Sequence, residues 1–334
     1  MKAIIYHHYG SLDVLKYEDI EKPTPRDDEV LIRVYAASVN PLDGGSVKGG
    51  GRFVNGLRKP KITGLGVDVA GQAESVGRKV TQFKPGDEVF GACLRSPKAS
   101  GAKVWVCSGA FAEYTCASES TLVLKPGNVT FEQAASVPVA AFTAFQGLRD
   151  KGKIQPGQKV LINGAAGGVG TLAVQIAKSF GAQVTGVCST RNVDMVRSIG
   201  ADEVIDYTQD DFTKMGQRYD LFFDCIGNHS LSACLRVLNP KGICVMAGEM
   251  SGRGIMGLVV RLISALALSR LMTKKLVIFL ARPNKENLNT IRELMATGKV
   301  KPVIDRRYRL SEVPDAIRYL EQKHARGKVV INLE

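Results

Sequence analysis

Lys159-Val160-Leu161-Ile162-Asn163-Gly164-Ala165-Ala166-Gly167-Gly168-Val169-Gly170 is the stretch on which the fold turns. It opens as a short apolar run, the pattern of a buried strand, and passes into a turn of glycines and alanines. Val169, Leu172, Ala173, Ile176, Ala177 and Phe180 then fall on one helix face, and Gly181 supplies the stop. A strand that enters a helix through such a turn can hold phosphate. The missing side chains admit a pyrophosphate, and the unpaired N–H groups of the first helical turn face it. Ala165 stands in the first glycine position of the dinucleotide fingerprint, with Gly167 and Gly170 in the next two. Glycine-rich turns also occur where backbones merely pack closely, so the context decides. Here a second strand, 183–188, follows at the expected distance, and more strand–helix units come after it. A nucleotide site with Ala165, Gly167, Gly168 and Val169 as contacts is expected.

The end of the second strand selects the nucleotide. An NAD site carries a carboxylate there to bond the ribose 2′-hydroxyl. This chain reads Cys188-Ser189-Thr190-Arg191-Asn192 instead. A hydroxyl from Ser189 and the guanidinium of Arg191 suit a 2′-phosphate through charge-assisted hydrogen bonds, so NADPH is the expected cofactor.

Outward from this centre the texture changes twice. Residues 1–125 are short β-type runs divided by Gly and Pro turns, such as Lys84-Pro85-Gly86, as in a mostly antiparallel domain. Residues 126–282 alternate strands and helices, the pattern of a parallel sheet. From 283 to 334 come a helix over 288–295 and a final strand around Lys328-Val329-Val330-Ile331-Asn332, which is expected to return to the first domain.

The chain has 334 residues, which suits two domains, and a formal net charge of +13, which favours anionic partners. Seven cysteines are scattered with no Cys-x-x-Cys pair, as in a reduced cytoplasmic protein without a zinc knuckle. The N-terminus lacks a signal peptide's apolar core. The apolar stretch 255–268 contains Arg261 and falls short of the roughly 18 uncharged residues of a membrane span. It reads as a helix over the active site or at a subunit contact, or, with its basic flank to 275, as a peripheral membrane contact. No aromatic-rich basic module points to nucleic acid.

Several further segments carry a resemblance: Ala37-Ser38-Val39-Asn40-Pro41-Leu42-Asp43, Gly66-Val67-Asp68-Val69-Ala70-Gly71, Phe83-Lys84-Pro85-Gly86-Asp87-Glu88-Val89, Ala134-Ala135-Ser136-Val137-Pro138 and Gly327-Lys328-Val329-Val330. Together with the glycine-rich turn, they make the chain similar, nearly end to end, to the medium-chain dehydrogenase/reductase superfamily. The likeness is to its zinc-free quinone oxidoreductase branch, chloroplast-envelope-type homologues in particular. The resemblance implies an α/β chain: a GroES-like, mostly-β catalytic domain (1–125 and 283–334) and a Rossmann domain with a doubly wound parallel sheet (126–282). It also implies a homodimer, and an active site in the cleft between the domains.

Zinc-dependent members place Cys where this chain has Asn40, and Gly-His-Glu at Gly66-Val67-Asp68. Val67 cannot ligate zinc and Asn40 ligates it poorly, so no metal is expected. Without a Lewis acid a plain alcohol is hard to oxidise, whereas a quinone or enone accepts hydride at carbon and spreads the charge itself. On the resemblance, Asn40 lies near the substrate carbonyl and donates its amide to a developing enolate oxygen. Thr143 contacts the nicotinamide end or a phosphate, and Tyr207 lies near the 2′-phosphate, with Arg326 and Lys328 as weaker candidates there. Phe279 and Leu280 lie on the sixth Rossmann strand, beside the nicotinamide and along the edge where relatives dimerise. An NADPH-binding membrane-associated or regulatory protein with little turnover is the alternative.

Overall fold

Six parallel strands answer the pattern read outward from the glycine-rich turn. Across the sheet they run Glu203–Asp206, Gln183–Cys188, Lys159–Asn163, Tyr219–Asp224, Leu238–Met246 and Lys275–Ile278. In chain order this is 3-2-1-4-5-6, the doubly wound arrangement, whose order reverses between the first and fourth strands. Both central strands are buried on both faces, with Val160, Leu161, Ile162, Phe222 and Phe223 fully inside. The computed structural model describes residues 1–95, 106–107, 109–247 and 274–333. The segment 255–268, with the basic flank up to residue 273, lies outside the described residues. Among the described residues no helix is long and apolar enough to cross a membrane.

The chain divides into two compact units, one of Met1–Val139, Pro283–Gly298 and Pro302–Glu334, the other of Ala140–Arg282 and Lys299–Lys301. The boundary expected at residue 125 therefore falls at Val139. The reason is the helix Phe131–Ala135, capped reciprocally by Thr130 and Gln133, which packs on the strands Glu29–Val39 and Asp68–Val76. Phe131 sets its ring 4.7 Å from that of Tyr35. Residues 299–301 belong to the second unit because Gln175 clamps the Lys301 backbone, accepting from its N–H at 2.7 Å and donating to its carbonyl at 3.0 Å.

The first unit is built on a mostly antiparallel sheet. Its path runs Ile304–Arg309, Lys328–Asn332, Glu29–Val39, Asp68–Val76, Glu88–Ala92 and Leu122–Leu124, with Tyr114–Ser118 pairing beside Glu29–Val39. The C-terminal strand returns as expected, with Val329 opposite Val39 and Ile331 opposite Ala37. Ile4, Tyr6, Ile32, Val69, Phe111, Val329 and Ile331 share one core. Helix Val313–Glu321 seats Val313, Ala316 and Ile317 on it, the i, i+3, i+4 stripe of an amphipathic helix.

Candidate functional site

In the second unit, strand Lys159–Asn163 ends at Gly164, whose φ of +83° is in the left-handed region that favours glycine. Gly167 caps the helix Gly168–Ser179, and the first intrahelical bond runs from the Thr171 N–H to the Gly167 carbonyl at 2.9 Å. That geometry turns the N–H groups of residues 168–170 outward as an anion site at the positive end of the helix. A Cβ on Gly170 would lie 2.0 Å from the Gly164 carbonyl oxygen, so only glycine allows the helix to approach the strand this closely. Ala165 is fully buried, its Cβ 3.0 Å from where a Cβ on Gly186 would stand.

Beneath the turn, at the point where the strand order reverses, lies a polar group that linear reading missed. Asp224 Oδ1 accepts from Asn163 Nδ2 at 3.0 Å and from the N–H groups of Ile226 and Gly227 at 3.0 and 2.9 Å. Asn163 Nδ2 also donates to Asn228 Oδ1 at 3.0 Å. The second oxygen, Asp224 Oδ2, is buried with no hydrogen-bond partner among the described residues. Its only sequence signal was a carboxylate ending the fourth strand.

At the end of the second strand Ser189 is half-buried and Arg191 exposed, one residue apart on either side of Thr190. Parallel pairing sets Cys188 opposite Asp206, bringing in a carboxylate that the local sequence lacks. Asp206 accepts from the Thr190 hydroxyl at 2.5 Å and from the Thr208 N–H and hydroxyl at 3.0 and 2.8 Å. The Thr190 bond, ahead of the Thr208 bonds, holds this carboxyl below its usual range. Tyr207 stands 61% exposed beside it, open to a ligand. Thr143 is half-buried on the helix Pro138–Phe145. Phe279 and Leu280 are not on the sixth strand, which ends at Ile278; they follow it, Leu280 being 89% exposed. Only four residues of that strand pair with Leu238–Met246, too short a ladder to include them.

The first unit buries a second polar group around Asn40. Lys328 is inside, not at a phosphate, and its three ammonium hydrogens meet three oxygens: Asn40 Oδ1 at 2.7 Å, the Val39 carbonyl at 3.3 Å and Asp68 Oδ2 at 3.3 Å. The strand Lys328–Asn332 lies inside the sheet, between Ile304–Arg309 and Glu29–Val39, which carries the lysine inward. Arg326 is exposed, its N–H donating to Asp305 at 3.0 Å. Asp68 has no solvent exposure. Its Oδ2 also accepts from Ser38 Oγ at 2.8 Å and Asn40 Nδ2 at 2.9 Å, and its Oδ1 from the Val139 N–H at 2.9 Å.

A cation on one side and a carboxylate on the other leave the Asn40 amide a single orientation. The amide expected to donate to a developing enolate oxygen is thus already engaged on both its atoms. The residue is 3% exposed, one Nδ2 hydrogen is committed to Asp68, and the other makes a long 3.4 Å contact with the Ser38 carbonyl.

Next to this group, Asp43 Oδ2 accepts from the Asn40 N–H at 2.7 Å, while its Oδ1 is buried with no hydrogen-bond partner among the described residues. Burial, ahead of the opposing Asn40 bond and the repulsion from Asp68, pushes this carboxyl up to about 7 from 3.8. The folded chain thus holds this proton more tightly than the unfolded chain. Its contribution to stability is fully present below 3.8 and lost as pH rises through about 7, on the order of 4 kcal/mol in all. Thermal unfolding across this range is expected to show wild type losing stability toward neutral pH relative to Asp43→Asn. Parallel profiles for the two would contradict the assignment.

Two family models match the chain: an alcohol dehydrogenase GroES-like domain over residues 26–127 and a zinc-binding dehydrogenase domain over 199–331. The chain is 38% identical to an NADPH-dependent alkenal/one oxidoreductase of Arabidopsis thaliana, covering 99% of this chain and 79% of that protein. It is 36% identical to a 2-methylene-furan-3-one reductase of Solanum lycopersicum over the same shares, 99% and 79%. Among solved structures, a quinone oxidoreductase of Coxiella burnetii matches with a TM-score of 0.82 and 30% identity, covering 100% of this chain and 99% of that one.

Proposed function

Because the chain belongs to the medium-chain dehydrogenase/reductase superfamily, on its quinone oxidoreductase branch, we propose that it uses NADPH to reduce a quinone or an α,β-unsaturated carbonyl compound without zinc. NADPH, when bound, supplies the hydride. The residues present fit it: the N–H groups of 168–170 take the pyrophosphate, and Ser189 and Arg191 take the 2′-phosphate. Asp206 does not oppose this, because its oxygens are engaged by Thr190 and Thr208.

The observation that carries the choice of acceptor is the ammonium of Lys328 between Asn40 and Asp68. Zinc does not fit the residues there. Val67 has no donor atom, and the oxygens of Asn40 and Asp68 face a fixed positive charge. Alcohol oxidation then has nothing to stabilise its alkoxide, whereas an enone or quinone distributes the charge from hydride addition over its own conjugated oxygen. The chain's task reduces to binding, orientation and exclusion of water, with the final proton taken from solvent.

Enone-dependent NADPH oxidation should persist in a strong chelator, and saturated alcohols should not be oxidised; robust alcohol oxidation would sink the reading. Arg191→Ala is expected to raise the KM for NADPH by about 10- to 100-fold, the worth of a charge-assisted hydrogen bond, and to leave NADH kinetics unchanged. An equal effect on both nucleotides would remove Arg191 from the phosphate.

A homodimer belongs to the same proposal. Its support is the strand Lys275–Ile278, which ends the six-stranded sheet and pairs on one side with Leu238–Met246. So does a cytoplasmic location, supported by seven scattered cysteines with no Cys-x-x-Cys pair.

A further inference from the structure

Two neighbouring hydroxyls at the end of the second strand are bonded in opposite senses. Ser189 Oγ accepts from Asn192 Nδ2 at 3.1 Å, which leaves its own hydrogen for a ligand. Thr190 instead spends its hydrogen on Asp206 Oδ2 at 2.5 Å. Thr208, on the turn after the strand Glu203–Asp206, donates its hydroxyl to Asp206 Oδ1 at 2.8 Å, and its N–H meets the same oxygen at 3.0 Å. The two threonine oxygens stand 2.9 Å apart, so together they cover one carboxylate with hydroxyl dipoles.

That carboxylate stands at a sensitive place. Asp206 ends its strand opposite Cys188, level with the end of the second strand. A carboxylate at the second strand's end is what bonds the ribose 2′-hydroxyl in an NAD site. Left bare, Asp206 would serve a ribose diol in the same way from one strand over, and would repel a 2′-phosphate. Its charge is present at neutral pH, because the Thr190 bond holds the carboxyl below its usual range.

We propose that Thr190 and Thr208 are specificity-determining residues of the nucleotide site: by engaging both oxygens of Asp206 they withhold a carboxylate that would otherwise favour NADH. This role rests on the NADPH reading and names the residues that protect it. With three donors on its two oxygens, Asp206 has little left to offer a ribose hydroxyl. The positive ends of the hydroxyl dipoles also face the charge, which weakens its repulsion of a phosphate. Ser189 and Arg191 then act on the 2′-phosphate without an opposing carboxylate, and the preference is the difference between the two effects.

The test uses the full-length chain and measures dissociation constants for NADPH and NADH by calorimetric titration, with no acceptor present. Thr190→Val/Thr208→Val keeps the shape of both side chains and removes both hydroxyls. Both positions are exposed, so the core is left intact. The preference for NADPH over NADH is expected to fall at least about 10-fold, through weaker NADPH binding and tighter NADH binding. Adding Asp206→Asn to the valine pair removes the uncovered charge and should restore the preference. Thr190→Ser/Thr208→Ser retains both hydroxyls and should behave as wild type, which separates their loss from a mere loosening of the two turns. An unchanged preference in the valine pair, or an equal loss for both nucleotides, overturns the inference. So does a loss that persists after Asp206→Asn is added, because the carboxylate would not be its cause. A wild type that binds NADPH no more tightly than NADH would end the NADPH reading and this role with it. A wild type that prefers NADPH, with an unchanged valine pair, would end only the role given to the threonines.

Discussion

Replacing Lys328 with methionine is expected to destabilise the first unit by about 3–5 kcal/mol, the cost of leaving a buried carboxylate without its partner. Asp68 has no exposure through which water could compensate it, and the Val39 carbonyl and Asn40 Oδ1 lose their donor in the same step. At a few degrees per kcal/mol for a unit of this size, the melting temperature should fall by roughly 10 °C or more. The double variant Lys328→Met/Asp68→Asn should recover most of that loss, because a charge pair removed together leaves no isolated ion. Thermal denaturation of the wild type, both single variants and the double variant completes the cycle. Additive losses would mean that the two residues do not interact as the 3.3 Å contact requires.

Gly170 and Gly167 should separate folding from cofactor binding. A Cβ at residue 170 meets the Gly164 carbonyl oxygen at 2.0 Å and Ala165 Cα at 2.8 Å, both backbone atoms that cannot swing away. Gly170→Ala must therefore push the helix off the strand. It is expected to cost several kcal/mol of stability and to abolish measurable NADPH binding. At residue 167 the nearest atom to a new Cβ is the Gly164 carbonyl oxygen at 3.5 Å, ordinary contact, and the backbone φ of −83° suits any residue. Gly167→Ala should melt within about 2–4 °C of wild type, a change of about 1 kcal/mol, while binding NADPH at least about 10-fold more weakly. Calorimetric unfolding and NADPH titration of the two variants make the comparison. Unchanged NADPH affinity in Gly167→Ala would remove the turn from the cofactor site.

The features legible in the sequence are the local ones. The strand, turn and helix over 159–179 depend on residues close together in the chain, and the parallel character of the sheet follows from repeating that unit, while its doubly wound order was implied by the family resemblance. What was misread depends on distant pairing. Lys328 and Asn40 lie 288 residues apart and meet only because the last strand pairs antiparallel with Glu29–Val39. A lysine between Gly327 and three apolar residues gives no sign of whether it faces solvent or an oxygen cage. Asp206 likewise reaches Thr190 across a strand pair, so the local stretch 188–192 appeared free of carboxylates. The domain boundary was placed where the strand texture ended, but the helix Phe131–Ala135 is held to the first unit by packing on its sheet, which local pattern does not encode. Phe279 and Leu280 continue an apolar run past Ile278, and composition alone could not show that the ladder stops there.

The most direct test of the central claim follows oxidation of NADPH and NADH side by side, with a quinone and a short enone as acceptors. Faster turnover with NADPH on at least one acceptor is the predicted result. Preference for NADH, or tight NADPH binding with no turnover on either acceptor, would contradict it.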